Sequence, residues 1–335
     1  MRILVVDVAA EYGGAKTILD QFISDFEKDT NNEYFFMLSK LHYSDKENIH
    51  FNSFPWVKKN HFYRFIFDRV IVKKIAKQYN CDLVISLQNN AVNSGKVEQY
   101  VYFQNALPFA EKQFSFGESK YLWFYQNIIA RIIRKSLKRA TRIYVQAEWI
   151  KKEMIERWNI NGNIIIVKKP RIIDVGKVIQ TMKEENGTCR LFYPANFSLY
   201  KNHMRLISAC KLIWDKYGID CGLKLILTGE RKDLPKQLYR LIENYPVLFV
   251  GRLDRTQMNK LYSCSILIFP SYIETVGLPI MEAQLCGTKI LCSNLEYSKE
   301  SIGEYDNVQF FNPYSVESIT ESILSCMKEC KCFDQ

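Results

Sequence analysis

Apolar residues in this chain fall into short runs of strand length, separated by stretches in which they recur every three or four positions. The first run is RILVVDV, residues 2–8. EYGGAK follows, and then a helical pattern in TILDQFISDF. Strand, glycine turn and helix in that order open a parallel α/β layer. Further strand runs lie at 33–38, 81–86, 99–104, 142–147 and 163–169, with helical stretches between them, notably 60–79 and 119–140. From 171 to 188 the chain turns polar and loses its period, as a linker does. The alternation then resumes with strands at 189–195, 223–229, 246–252, 265–271, 289–293 and 308–312, and a last helix over 315–329. The pattern predicts two doubly wound, Rossmann-like α/β domains, 1–170 and 189–335, joined by a linker at 171–188. Sheets of this kind bind ligands at the carboxyl ends of their strands, so the expected active site is a cleft between the domains.

The totals narrow the choice of partner. With 335 residues, 47% hydrophobic and 24% charged, each half can bury a core. No apolar run reaches the ~18 residues of a membrane span, and Asp7 interrupts the N-terminal run, which reads as a strand and not as a signal peptide. A cytoplasmic protein with reduced thiols is expected. Cys210, Cys264, Cys286 and Cys292 sit in apolar runs; Cys326, Cys330 and Cys332 form the one cluster, without a second pair of ligands for a metal. The Asn186 and Asn196 glycosylation patterns carry no meaning without export. The net charge of +10 favours an anionic partner: nucleic acid, anionic lipid or a phosphorylated substrate. No zinc finger, helix-turn-helix or RRM signature supports nucleic acid. RIIRKSLKRATR (131–142) carries six basic residues and no acid, directly after YLWFYQNIIA. Segment 119–142 thus suits an amphipathic helix whose cationic end meets anionic headgroups; a core helix with a solvated basic face fits the pattern equally.

The chemistry concentrates in SYIETVGLPIMEAQLCGT, residues 271–288. Pro279 fits the first turn of a helix and Gly287 the position after its end, so a helix is predicted over 279–286. Glu274 then lies on the loop from strand to helix, and Glu282 about one turn into the helix. Free N–H groups of such a loop and first turn bind anions. Thr275 and Gly277 let a ligand approach the backbone, and the carboxylates accept hydrogen bonds from hydroxyls. A ligand with a diphosphate between two hydroxyl-rich groups has the matching form, and a nucleotide sugar is such a ligand.

ETVGLPIME has the spacing E-x7-E and resembles the nucleotide-binding signature of retaining glycosyltransferases of GT-B fold, the family-4 or group 1 class. YPANFSLYKNHMRLISA (193–209) resembles the first strand, loop and helix of that family's C-terminal domain. VGRLDRTQMNKLYSCSILIFPS (250–271) resembles its run into the glutamate motif, and GGAKT (13–17) its N-terminal glycine-rich loop. FQNALPF (103–109) and YVQAEWIKKEM (144–154) look similar to transferases of bacterial surface glycans. The resemblance implies that Glu282 holds the donor ribose and Glu274 contacts the donor sugar, with Thr275, Val276 and Gly277 beside sugar and phosphates. Lys201 would neutralise the departing diphosphate, Gly13 and Gly14 would approach the same phosphates, and Arg252 and Leu253 would lie near the base. Two departures stand out. Where many relatives have an arginine before the lysine, this chain has Ala195 and Asn196, leaving Asn196, Arg205 or Arg252 to compensate. Where many have a histidine in the N-terminal domain, it has Gln104 and Asn105, which hydrogen-bond but cannot act as a base. His203 reads as a capping or surface residue.

The function expected is retaining transfer of a sugar from a nucleotide diphosphate donor to a glycan hydroxyl, on a lipid-linked acceptor where the membrane contact holds. Neither metal nor cofactor is expected, since lysine and helix N-termini can neutralise the diphosphate. The domains would close over the donor. A nucleotide-sugar epimerase of the same fold and a catalytically silent sugar-nucleotide-binding subunit are the alternatives.

Overall fold

The computed structural model describes residues 1–11, 13–170 and 187–332. It divides into two compact units, one of Met1–Phe109 with Gln113–Lys169, the other of Ala110–Lys112 with Pro170–Gln335. Of the linker expected over 171–188, residues 171–186, Asn186 among them, lie outside the described residues.

The first unit is built on a parallel sheet of seven strands: β1 (Arg2–Asp7), β2 (Glu33–Leu38), β3 (Ile49–Ser53), β4 (Leu83–Ser86), β5 (Glu98–Phe103), β6 (Arg142–Val145) and β7 (Ile165–Val167). They lie in the order β3-β2-β1-β4-β5-β6-β7, so the winding reverses between β1 and β4. The helices are α1 (Gly13–Glu27), α2 (His61–Ile66), α3 (Val72–Gln78), α4 (Lys120–Phe124), α5 (Ala130–Leu137) and α6 (Glu148–Glu156). The central strand is apolar throughout because both its faces are covered. Ile3 and Val5 pack with Ile18, Leu19 and Ile23 of α1, and Leu4 and Val6 with Val72, Ile75 and Ala76 of α3. Strand β3 escapes the hydrophobic pattern. IHFNS is an edge strand with only Ile49 fully buried; His50, Phe51 and Asn52 are half-buried and Ser53 is exposed. The glycine turn expected ahead of the helix is not formed by Gly13 and Gly14, which open α1 itself. The stretch predicted as one helix over 60–79 runs as α2, a π turn at Phe67–Ile71 and α3. The stretch at 119–140 repeats the arrangement with α4, a π turn at Tyr125–Ile129 and α5.

The second unit carries β8 (Cys189–Tyr193), β9 (Leu223–Leu227), β10 (Val247–Phe249), β11 (Ile266–Phe269), β12 (Ile290–Ser293) and β13 (Val308–Phe311). Their order, β10-β9-β8-β11-β12-β13, reverses between β8 and β11. The helices are α7 (His203–Tyr217), α8 (Lys236–Ile242), α9 (Arg255–Ser263), α10 (Leu278–Leu285), α11 (Glu296–Ile302) and α12 (Val316–Glu329). Several predicted strands end one to three residues early, because the sequence run continues into the loop at the carboxyl edge.

Candidate active site

In the second unit the loops after β8 and β11 meet at the strand reversal, and each brings a charged side chain. Lys201 Nζ donates to Glu274 Oε1 at 2.5 Å, and the two side chains are only 14% and 17% exposed. A network beneath fixes both loops. The Tyr193 hydroxyl donates to the Lys201 carbonyl at 2.8 Å and accepts from Ser271 Oγ at 2.8 Å. Tyr272 N–H donates to the Tyr200 carbonyl at 2.8 Å. The Asn202 amide donates to the carbonyls of Pro270 and Pro313, at 3.1 and 2.8 Å. Tyr297 donates to the Ser271 carbonyl at 2.7 Å. Burial, and then the Glu274 carboxylate, push the phenols of Tyr193 and Tyr297 well above the usual tyrosine range, so both remain neutral donors.

Glu282 sits in α10, whose bounds fall one residue before the predicted helix. It accepts from Arg255, the first residue of α9, and from the buried Tyr262 hydroxyl at 2.9 Å. Gly277 precedes α10 with φ −52°. A Cβ there would lie 2.8 Å from Cδ1 of the fully buried Ile280, so a side chain at this position would make Ile280 shift. Thr275 and Val276 are half-buried beside Glu274. Asn196 is exposed and its Oδ1 accepts from Ser198 N–H at 3.1 Å. Arg205 does not stand free to replace the missing arginine: it bonds the Tyr272 hydroxyl and donates to the Tyr314 carbonyl. Arg252 is exposed and Leu253 half-buried. His203 is no surface residue. It opens α7, is 3% exposed, and packs with Tyr193 and Phe197 at ring distances of 4.8 and 5.0 Å. Neither ring nitrogen has a partner, and burial, with Lys201 nearby, pushes its pKa down to about 3.

Residues 179–331 match the family described as glycosyl transferases group 1. The chain carries a group 1 glycosyltransferase domain. Serotype-specific mannosyltransferase WbdA of Escherichia coli is 27% identical over 228 residues, which are 64% of this chain and 27% of that protein. The chain thus aligns with about a quarter of that relative's length. Among solved structures, WaaG, a glycosyltransferase involved in lipopolysaccharide biosynthesis, matches with a TM-score of 0.72 at 14% identity, over 99% of this chain and 92% of that one. Anabaena HepE in complex with UDP and glucose matches with a TM-score of 0.66 at 16% identity, over 99% and 92%. These likenesses show the GT-B fold.

Within the group 1 domain the sequence reading missed Arg255, Tyr262, Tyr193 and Asn202. The capping box formed by Asp254 and Gln257 signals the start of α9 and so the place of Arg255; nothing local signals the other three. Among the described residues, no three His, Cys, Asp or Glu side chains are arranged to hold a metal ion. In the cysteine tail, burial pushes the thiols of Cys326 and Cys332 up to about 12 and about 11, which makes them poor nucleophiles.

The unit preceding the group 1 domain holds the remaining candidates. Gly13 and Gly14 begin α1. Gln104 follows β5; its N–H donates to Asn89 Oδ1 at 2.7 Å and its amide to the Leu87 carbonyl at 3.2 Å. The Asn105 amide is engaged in the scaffold, donating to the Tyr125 hydroxyl at 2.8 Å and accepting from Leu107 N–H at 2.9 Å. Sequence reading passed over Asp7, which ends β1 where the winding reverses. It is 1% exposed, accepts from Ala10 N–H at 3.2 Å through Oδ1, and has no partner for Oδ2. Burial pushes its pKa up to about 6, against the pull of Ala10 N–H and the charges of Arg64 and Lys58. The unfolded carboxyl titrates near 4, so its contribution to stability is full below about pH 4 and is lost as pH rises through about 6. Asp7→Asn keeps the bond from Ala10 and removes the buried charge. It should raise stability by about 1–3 kcal/mol at neutral pH and give no gain in acid. Thermal unfolding of both proteins across pH 4–8 checks this; a lower melting point for the variant at neutral pH would show that the charge is compensated.

Proposed function

We propose that the protein is a retaining glycosyltransferase. It moves a sugar from a nucleotide diphosphate to a hydroxyl of a growing glycan, in the synthesis of a bacterial surface polysaccharide such as O-antigen, capsule or exopolysaccharide. The observation that carries this reading is the meeting of Lys201 and Glu274 at the strand reversal of the second sheet. The mannosyltransferase name of the WbdA relatives and the UDP and glucose bound by HepE support it.

Glu282 takes the donor ribose, exchanging its exposed partner Arg255 for sugar hydroxyls while Tyr262 keeps the carboxylate aimed. Glu274 contacts the transferred sugar, with Thr275, Val276 and Gly277 against sugar and phosphates. Lys201 stabilises the charge that develops on the diphosphate. The N-terminal amides of α7 and α10 add positive potential, and no metal is required. Gly13, Gly14, Asn196, Arg252 and Leu253 complete the donor side; Gln104 and Asn105 serve the sugar or acceptor side. In the transfer, the bond from C1 to the phosphate oxygen breaks and a bond from C1 to the acceptor oxygen forms on the same face. The acceptor proton passes to the leaving phosphate, which supplies the base that Gln104 and Asn105 cannot. The protein works on the cytoplasmic face, touching anionic lipid through 119–142 and taking a lipid-linked acceptor.

A panel of nucleotide sugars, read by thermal shift and then by transfer to a lipid-linked glycan, tests the reading. One donor should raise the melting point, and Glu282→Gln should weaken its binding about tenfold or more, since a hydrogen bond to a charged acceptor is lost. A protein that no nucleotide sugar stabilises sinks the proposal. Release of a free epimer without acceptor would indicate an epimerase, and binding without turnover a silent subunit.

A further inference from the structure

We infer that the first unit docks on an anionic bilayer through two parallel helical rods, of which 119–142 supplies only one. The other is the α2–α3 rod. The inference rests on the lipid-linked reading of the acceptor and extends it to a segment and an orientation that the sequence did not suggest.

The two rods share one layout. Before the π turn of the first come Phe62, Tyr63 and Phe65; after it come Lys73, Lys74 and Lys77. Before the π turn of the second come Tyr121 and Phe124, preceded by Phe116; after it come Arg131, Lys135 and Lys138. Phe62, Phe65, Phe116, Tyr121 and Phe124 are between 44% and 71% exposed, and grouped exposed rings, unlike scattered ones, mark an interaction surface. Cations lie against two of them: Arg69 is 5.5 Å from the Phe65 ring and Lys120 is 5.4 Å from that of Phe116. Residues 58–77 hold seven basic side chains and one acid, Asp68, which is paired with Arg64 at 3.1 Å.

Topology puts the rods side by side. The steps from β3 to β4 and from β5 to β6 cross the sheet in the same direction, so right-handed crossovers place both rods on one face. The loop after β4 joins them: Asn93 N–H donates to the Asp68 carbonyl at 2.8 Å, and Ala91 N–H donates to Ser136 Oγ at 3.0 Å. Each rod follows a strand of a parallel sheet, so both begin at the carboxyl edge. The aromatic halves therefore flank that edge together, and the cationic halves run back from it. Exposed rings enter the headgroup boundary, and lysines and arginines meet lipid phosphates. This tips the carboxyl edge of the first sheet, with Asp7 and Gln104, toward the bilayer. Charge complementarity selects an anionic membrane as the occupant.

Vesicle co-flotation of the intact protein decides the matter. Wild type should float with vesicles of phosphatidylethanolamine and phosphatidylglycerol, much less with phosphatidylcholine alone, and less as salt rises. Phe62→Ser/Phe65→Ser should lower partitioning about tenfold or more, as loss of two buried rings requires, and so should Tyr121→Ser/Phe124→Ser. Lys73→Glu/Lys74→Glu should weaken the preference for phosphatidylglycerol. Wild-type flotation of the Phe62/Phe65 variant, or no flotation of the wild type, overturns the two-rod surface. So does a monomer–dimer shift on substituting these rings, which would make the face a protein interface. Circular dichroism and melting point confirm that the variants fold. Vesicle binding is read without donor or acceptor, so loss of transfer with intact flotation would sink the glycosyltransferase reading alone.

Discussion

Glu274→Gln is expected to lower the turnover number for sugar transfer by about 10²–10³, the scale set by removing one pre-aimed electrostatic contact in an active site. The substitution keeps the shape of the side chain. The Tyr193, Ser271 and Tyr297 bonds that hold its loop do not involve the carboxylate, so the loop should stay in place. Circular dichroism should be unchanged, and the donor should still bind through Glu282 and the helix amides. The measurement is single-turnover transfer beside donor-induced thermal shift. Wild-type turnover in the variant removes Glu274 from the mechanism; lost donor binding would make it a binding group first.

Lys201→Met should cost a similar ~10²–10³ in turnover, because the charge on the leaving diphosphate loses its fixed partner. A stability effect accompanies this substitution, as it does Glu274→Gln. The lysine and glutamate side chains are mostly buried, so removing one leaves the other charge uncompensated, at about 1–3 kcal/mol after allowing for partial solvation. The double variant Lys201→Met/Glu274→Gln separates the two effects. It should recover most of the lost stability and none of the turnover. A double variant as unstable as Lys201→Met, or one that regains activity, contradicts the assignment of both residues.

The strand, loop and helix that carry Glu274 and Glu282 are legible in the sequence because their signals are local. Strand, loop and helix between Ile266 and Cys286 are written by an apolar run, a glycine, a proline and a second glycine, and each needs only its neighbours to act. Lys201 was named by the resemblance of YPANFSLYKNHMRLISA, a strand, loop and helix that are equally local. What stayed hidden depends on residues far apart in the chain. Tyr193 and Ser271 are 78 positions apart, and Arg255 and Glu282 are 27 apart. Neither pairing leaves a periodicity. Strand β3 hid because an edge strand is not obliged to be apolar on both faces. The π turns hid because one extra residue per turn leaves the amphipathic pattern nearly intact. His203 was misread because a polar residue at a helix start usually faces water, whereas here two aromatic rings enclose it. Asp7 was read only as a break in an apolar run.

The Tyr193 phenol, shared between two loops, constrains how such a molecule can diversify. Lengthening either loop by one residue would tear a common pin and release the Lys201 and Glu274 loops at once. Descendants that acquire a new sugar must then do so by exchanging side chains on a frozen backbone, while insertions accumulate elsewhere. Comparison of loop lengths after β8 and β11 across close homologues should therefore find them nearly constant even where the sugar transferred differs.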